Sequence, residues 1–348
     1  MSQSLLIVGE IFLNNSNTII PVLNRFGKNK KVAVCYRIKK IHVSLLINTP
    51  LLTPPFLKKG DLVKIISTAR RVTPDEMEPA IEKLTQWGFN VVCGKFLYET
   101  CHQYAGNDEQ RLSDFQEALD DTNCRAILFA RGGYGSLRIA DKIDFSGYKK
   151  SPKWLLGFSD VTVHLIQSLN HQVECIHGPM AIYFYKGLSS ESTEYIMNVL
   201  MGENIHYNFP AHALDKTGEC KGELIGGNLS ILHNLLGTST DFKTAGKILF
   251  IEDLDEYYYH IDRMMIHLKR SGKLDSLAAL IVGYMSQMHD NPVPFGKNAY
   301  QIILETVSEY NYPVTFGFPA GHEEVNHPLI FGRNVSLEVT RNGNCLKF

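Results

Sequence analysis

Three stretches of the chain carry residue types suited to nucleophilic chemistry. In Gly157-Phe158-Ser159-Asp160 an apolar run enters a G-x-S turn and leaves in a helical pattern. Such a strand-to-helix turn exposes the serine hydroxyl and aims the next backbone N–H at the same reacting oxygen. The helix N-terminus adds positive potential there. Val161 replaces the last glycine of G-x-S-x-G, and a capping serine at an ordinary strand–helix turn also fits these residues. Serine is a weak nucleophile near neutrality and needs a base, normally histidine, itself oriented by an acid. His322 stands in Phe318-Pro319-Ala320-Gly321-His322, a loop after a strand, where function is often carried. It is one of 13 histidines, and a solvated loop histidine is the plainer alternative. Glu252 ends the apolar strand Ile248-Leu249-Phe250-Ile251-Glu252-Asp253; a capping or ion-paired acid is its alternative.

A fourth stretch, Gly132-Gly133-Tyr134-Gly135-Ser136, is neither G-x-x-x-x-G-K-[ST] nor G-x-G-x-x-G, which argues against nucleotide binding. Beside the serine turn, its N–H groups suit a second oxyanion donor; a tight turn needing positive φ also accounts for the glycines. Ser136 is a rival nucleophile, but it lacks the G-x-S context and Ser159 is preferred. The run from His322 to His327, HEEVNH, is close to the zinc motif H-E-x-x-H. Its imidazoles stand at i and i+5, about 140° apart on a helix rather than about 40°. Gly321 and Pro328 flank it, and no Cys–His cluster has tetrahedral spacing. No metal and no cofactor are expected.

The elements that position these residues begin near Pro55. Lys59-Gly60-Asp61 is a turn, and Leu62 to Ile66 a strand. Thr73-Pro74-Asp75-Glu76 opens a helix that Gly88 stops. Short apolar strands follow at FNVVCG, RAILFAR and WLLGFSD, with helices opening at Asn107 or Asp108, after the glycine turn to about Lys142, and over Val161 to Leu169. Strands that alternate with helices imply a parallel sheet covered on both faces, with ligands at the carboxyl ends of the strands. The pattern dissolves over 201–218, read as a linker. Beyond it come the strand GKILFIED, a helix in YYYHIDRMMIHLKRSGKL, the strand LAALIVGYM, a helix in NAYQIILETVSEY, and strands at PVTFGF and NVSLEVT. The expected organisation is an α/β domain over 55–200 and a smaller mixed α/β domain over 219–348. The glycine-rich corners of the second suit a curved, barrel-like sheet. Residues 1–54 show polar, turn-like patches and no chemistry. They read as a poorly ordered extension or a misassigned start.

The 348 residues are 44 % hydrophobic and 20 % charged with a net charge of −1. This is ordinary globular composition, with room for about two domains and no basic face for nucleic acid. No apolar run reaches the roughly 18–20 residues of a membrane span, and Glu10 interrupts the one signal-like core. A cytoplasmic protein without membrane association is expected. The seven cysteines are odd in number and form no C-x-x-C, so reduced thiols are expected.

Taken in order, RGGYGS, GFSDVT, GELIGGNLSILHNLLGT, FIEDLDEYYYHIDRM and FPAGH resemble the LD-carboxypeptidase family. These are serine peptidases of the muramoyltetrapeptide carboxypeptidase type, with the microcin C immunity hydrolases as relatives. The match spans about 55–348, and five motifs in one order are more specific than any one of them. The resemblance implies a flavodoxin-like, doubly wound N-terminal domain and a barrel-like C-terminal domain. It implies Ser159 as nucleophile, Glu252 as acid and His322 as base, with the backbone N–H groups of Asp160 and Gly133 as oxyanion donors. The implied substrate is a murein peptide cut before its terminal D-alanine during peptidoglycan recycling; the implied assembly is a homodimer. Recognition of the substrate's free carboxylate calls for a cationic side chain or a helix N-terminus near Ser159; Arg131 and Arg138 both stand near in sequence, and the sequence assigns neither. Two alternatives stay open. One is hydrolysis of an aminoacyl-nucleotide amide, which needs a stacking surface; Trp87, Trp154 and Tyr257-Tyr258-Tyr259 are the aromatic candidates. The other is a non-enzymatic small-molecule binding protein with an interdomain cleft.

Overall fold

The computed structural model describes residues 51–348, so the expected extension over 1–54, apart from its last four residues, lies outside them, as does Cys35. The six cysteines within them are unpaired. The first half contributes β1 (Leu62–Ile66), β2 (Asn90–Cys93), the small hairpin β3 (Thr100–Cys101) and β4 (Tyr104–Ala105), β5 (Cys124–Phe129), β6 (Trp154–Gly157) and β7 (Cys175–His177). The second half contributes β8 (His206–Phe209), β9 (Gly218–Asn228), β10 (Ile248–Leu254), β11 (Ala279–Ser286), β12 (Val314–Phe316), β13 (Leu329–Phe331), β14 (Asn334–Val339) and β15 (Asn344–Lys347).

Two main sheets result. The first has the order β13-β7-β6-β5-β1-β2; all its pairings are parallel except that of β13 with β7. The second has the order β12-β11-β10-β9-β14-β15-β8. β9 joins its two halves. Residues Gly218–Glu223 pair antiparallel with β14, and Leu224–Asn228 pair parallel with β10. Burial follows the change: the first part of β9 is half-exposed and Leu224 onward is fully buried. The fold is therefore mixed α/β, with a parallel sheet and a second sheet beside it.

Local sequence explains the helices. Thr73 and Glu76 form a reciprocal capping box on Pro74–Gln86, and Asn107 and Gln110 do the same on Asp108–Asp120. Buried Lys153 donates to the carbonyls of Ala118, Leu119 and Asp121, closing the C-terminus of that second helix with a cation. The helix after the glycine turn is Ser136–Ala140, two residues short of the expected end. The helix Ala299–Thr306 stops before Tyr310. There Ser308 Oγ takes the free carbonyl of Glu305, and turns continue the chain.

Beyond the small hairpin β3–β4 and the strands β7 and β15, two more strands fall where the sequence reading had none. β8 lies inside the segment read as a linker and forms an edge of the second sheet. β13 returns to the first sheet, with Leu329 opposite His177. Directly after it, Gly332 N–H donates to Leu224 and Leu224 N–H to Arg333. The chain segment that follows His322 is thereby stitched to both sheets.

Candidate active site

Ser159 sits where β6 ends. Phe158 is extended at φ −157°, and Ser159 then turns to φ +60° ahead of a 3₁₀ turn, Ser159–Val161, and the helix Thr162–Asn170. A left-handed non-glycine residue costs on the order of 1–3 kcal/mol and persists only where its surroundings fix it. Here they do. A Cβ at Gly157 would stand 3.0 Å from Val161 and 3.1 Å from Phe129, so the strand end packs tightly against the turn. The serine itself is half-buried.

The glycine turn after β5 lies on this serine. A Cβ at Gly132 would fall 3.2 Å from Ser159 Oγ, and one at Gly133, at φ +108°, would collide with the stem of Arg70. The Asp160 carboxylate accepts the Ser136 N–H at 2.8 Å and so ties the turn to the residue after Ser159. The rival nucleophile Ser136 is fully buried and shares a 2.7 Å hydrogen bond with Thr68 Oγ1. Asp160 N–H lies in the first turn behind Ser159, where helical N–H groups have no intrahelical partner.

Glu252 and His322 arrive from the second sheet. The apolar run of β10 carries Glu252 into full burial, in register with Asn228 of β9. The loop bearing His322 is held along its length. Phe318 N–H donates to Val282, Tyr284 N–H to Ala320, Gly321 N–H to Asn326 Oδ1, and Asn326 N–H to Ser192 Oγ. The close crossing needs Gly283, where a Cβ would meet the Ala320 carbonyl at 2.5 Å. With its proton on Nδ1, His322 donates to Glu252 Oε2 at 2.8 Å, and its Nε2 accepts the Ser159 hydroxyl at 2.9 Å. The Phe158 ring flanks the imidazole at 4.7 Å.

Electrostatics couple the imidazole and the carboxylate. Burial pushes the Glu252 carboxyl up, but His322 outweighs it and holds it below its ordinary value. Burial pulls His322 down, and Glu252 outweighs that in turn, so the imidazole lies above its ordinary value. Two neighbours escaped the sequence reading. Asp253, buried behind Glu252, is pushed to about 7 by desolvation and then by the Glu252 charge. It accepts from Asn228 Nδ2 and from the Ser230 N–H and hydroxyl. His177 is fully buried among Phe158, Phe250 and Phe331 and is lowered to about 4 by desolvation. Asp253 adjoins Glu252 in its motif but carries no periodic signal of its own, and His177 stands in no motif; the packing of β7 and β10 reveals their surroundings.

The remaining candidates separate. His327 turns away from His322, with Nδ1 at 3.1 Å from Ser192 Oγ and its ring stacked on Tyr207, so the two imidazoles face different partners. Arg138 is bound by both oxygens of Asp108, whereas Arg131 reaches Glu76 only at 3.7 Å. Trp154 is fully buried against Phe56. Trp87 packs edge-on to Phe89 and Phe184. Tyr257 is exposed beside Tyr259 and His289.

A serine hydroxyl, an imidazole and a buried carboxylate linked in line, at the carboxyl ends of strands in an α/β fold, form an arrangement suited to nucleophilic hydrolysis. The chain belongs to the LD-carboxypeptidase family: the model of that family's N-terminal domain matches residues 63–178 and that of its C-terminal domain residues 221–337. It is 36 % identical over 277 residues to a Bacillus subtilis protein named "Probable murein peptide carboxypeptidase", covering 77 % of this chain and 83 % of that one. The crystal structure of muramoyltetrapeptide carboxypeptidase from Oxalobacter formigenes superposes with a TM-score of 0.76 at 26 % identity, covering 82 % of this chain and 98 % of that one. The microcin C7 self-immunity protein MccF, solved with aspartyl sulfamoyl adenosine, has the same fold. Its TM-score is 0.76 at 21 % identity, over 86 % of this chain and 98 % of that one.

Proposed function

We propose that this protein is a serine carboxypeptidase that removes the terminal D-alanine of murein tetrapeptides by cleaving an L,D-peptide bond during peptidoglycan recycling. The observation that carries the reading is the continuous hydrogen-bonded line from Ser159 through His322 to Glu252. The names of the relatives support a carboxypeptidase role. Five parallel strands in the order 2-1-3-4-5, set by chain position in the first sheet, support its flavodoxin-like description. The change of pairing within β9 supports a curved second sheet.

In this mechanism His322 Nε2 takes the Ser159 proton as Oγ attacks the scissile carbonyl. Glu252 holds the Nδ1–H tautomer and stabilises the imidazolium. The N–H groups of Asp160 and Gly133 receive the oxyanion, each contributing about 3–4 kcal/mol in comparable sites. The departing amine of D-alanine takes the proton from His322, and water, activated by the same imidazole, hydrolyses the acyl-enzyme. The steps use side chains and backbone N–H groups of this chain.

The test is release of D-alanine from a free tetrapeptide, run beside hydrolysis of an aminoacyl sulfamoyl nucleotide. D-Alanine release that disappears in Ser159→Ala, with the melting temperature retained, supports the proposal. Turnover of the nucleotide amide alone transfers the site to the other substrate class. Full peptidase activity in Ser159→Ala refutes the nucleophile.

A further inference from the structure

A carboxypeptidase distinguishes a terminal residue from an internal one by its free carboxylate, and a desolvated carboxylate calls for charge-assisted hydrogen bonds. Resting on the functional reading above, we propose that Arg131 and Lys186 form the receptor for the terminal carboxylate of the substrate.

Both cations are built on the end of β5. Arg131 directly precedes Gly132, the residue that lies on Ser159 Oγ. The short helix Ile182–Lys186 is docked on the same strand end, with Ala181 N–H donating to Phe129 and Ile182 N–H to Ala130. Lys186, its last residue, holds its ammonium 5.6 Å over the Tyr183 ring. That ring packs at 5.1 Å on Phe158, and Phe158 at 4.7 Å on His322. The ammonium thus stands two aromatic rings from the imidazole that carries the proton.

Among the described residues, neither cation is committed to a strong internal pair. The 3.7 Å approach of Arg131 to Glu76 is well beyond the roughly 2.7–2.9 Å of a charge-assisted hydrogen bond. Arg138, the other arginine suggested by sequence, is already held by Asp108 through both oxygens. The charges also bear on one another. Lys186 is held below the ordinary lysine range first by burial, then by Arg131 and Arg70, with Glu76 opposing. Lys186 in turn disfavours a proton on His322. Two cations that repel one another are relieved by an anion, and a substrate carboxylate supplies it. Arg131 brings a planar fork for two oxygens and Lys186 a point charge.

The experiment compares two tetrapeptides, identical except that one ends in a free acid and the other in a carboxamide, on the full-length protein. The wild type should prefer the acid in kcat/KM by about 10- to 100-fold or more. Arg131→Ala and Lys186→Ala should each lower kcat/KM on the acid by a similar factor, mainly through KM, and shrink the acid-to-amide preference. Lys186→Arg should restore part of it. Melting curves accompany every variant, and the place of Lys186 at the end of a short helix makes its substitution the safer for folding. A preference unchanged in both alanine variants, or abolished instead by Arg138→Ala, overturns the receptor. A wild type inactive on both peptides overturns the functional reading and the receptor with it. That result is distinct from an active enzyme whose preference ignores Arg131 and Lys186.

Discussion

The carboxylate of Asp160 accepts the backbone N–H of Ser136 at 2.8 Å in a fully buried setting. The residue after Ser159 therefore grips the far end of the turn whose near end, Gly132, lies on Ser159 itself. Both backbone N–H groups proposed as oxyanion donors are positioned by this one bond. The other carboxylate oxygen, Oδ1, has no partner among the described residues, and burial raises the group above its ordinary value. The Ser136 N–H needs an acceptor oxygen, which an amide can also supply.

Asp160→Ala should therefore leave the Ser136 N–H unsatisfied, lower stability by about 1–3 kcal/mol, and reduce kcat more than it raises KM. Asp160→Asn keeps an acceptor oxygen and should retain most of both. Denaturant unfolding and steady-state kinetics on the two variants check this. An asparagine variant as impaired as the alanine one would show that the charge matters instead.

The pH dependence follows from the coupled pair. His322 accepts the Ser159 proton only when neutral, and in the folded protein it lies above its ordinary value because Glu252 outweighs burial. Activity should rise with pH on a limb whose midpoint lies above the ordinary histidine value. Glu252→Gln removes the charge that raises it. The limb should shift to lower pH while kcat falls by about 10⁴-fold, as when the orienting acid of a comparable triad is neutralised. A pH–rate profile of kcat/KM for both proteins decides it, and an unmoved limb would separate the titration from Glu252.

Stability has its own pH signature. The raised His322 contributes fully below its ordinary value and fades as pH climbs through its folded one. The lowered Glu252 contributes above its ordinary value and fades as pH falls through its folded one. Asp253 works in the opposite sense to Glu252. Pushed from 3.8 to about 7, it keeps a proton that the unfolded chain releases, so its part of the stability declines as pH rises through that window. Asp253→Asn lacks this decline. Relative to wild type, its melting temperature should improve progressively between about pH 4 and 7 and level off above. A constant difference across that range would count against a raised Asp253.

What the sequence made legible was whatever is local or periodic. The apolar runs marked the core strands, Thr73 and Asn107 marked their helices, and Gly157-Phe158-Ser159 marked a turn that does take positive φ. What it hid depends on distant chain. β8 alternates exposed and buried residues in HYNF, yet beside Gly and Pro it reads as linker, because its buried Tyr207 and Phe209 find their neighbours only in the second sheet. β13 is three residues long, too short for any period. The Asp160 carboxylate finds its partner 24 residues upstream. Lys186 reaches the site through Tyr183 and Phe158, a route that no spacing encodes. Nearness in sequence nominated Arg131 together with Arg138, which Asp108 occupies.

The distance between the serine and its base is set by how the second sheet meets the helix behind Ser159, and Gly227 is the contact. At φ +140°, a Cβ there would stand 2.4 Å from Thr162 Cγ2, 2.7 Å from its Oγ1 and 3.1 Å from its Cβ, so the whole residue would have to move. The neighbouring Asn228 N–H donates to Thr162 Oγ1 at 3.0 Å, and Asn228 lies opposite Glu252. Gly227→Ala should therefore separate Glu252 and His322 from Ser159. It should cost about 2 kcal/mol or more through the clash and the strained φ, and lower kcat beyond what lost stability explains. Adding Thr162→Ser removes the methyl but keeps the hydroxyl that Asn228 uses. If the contact governs the geometry, the double variant, freed of the 2.4 Å contact though not of that with Oγ1, recovers part of the activity lost in Gly227→Ala, and a double-mutant cycle gives a favourable coupling. If backbone strain alone is responsible, the serine brings no recovery, and the two substitutions simply add.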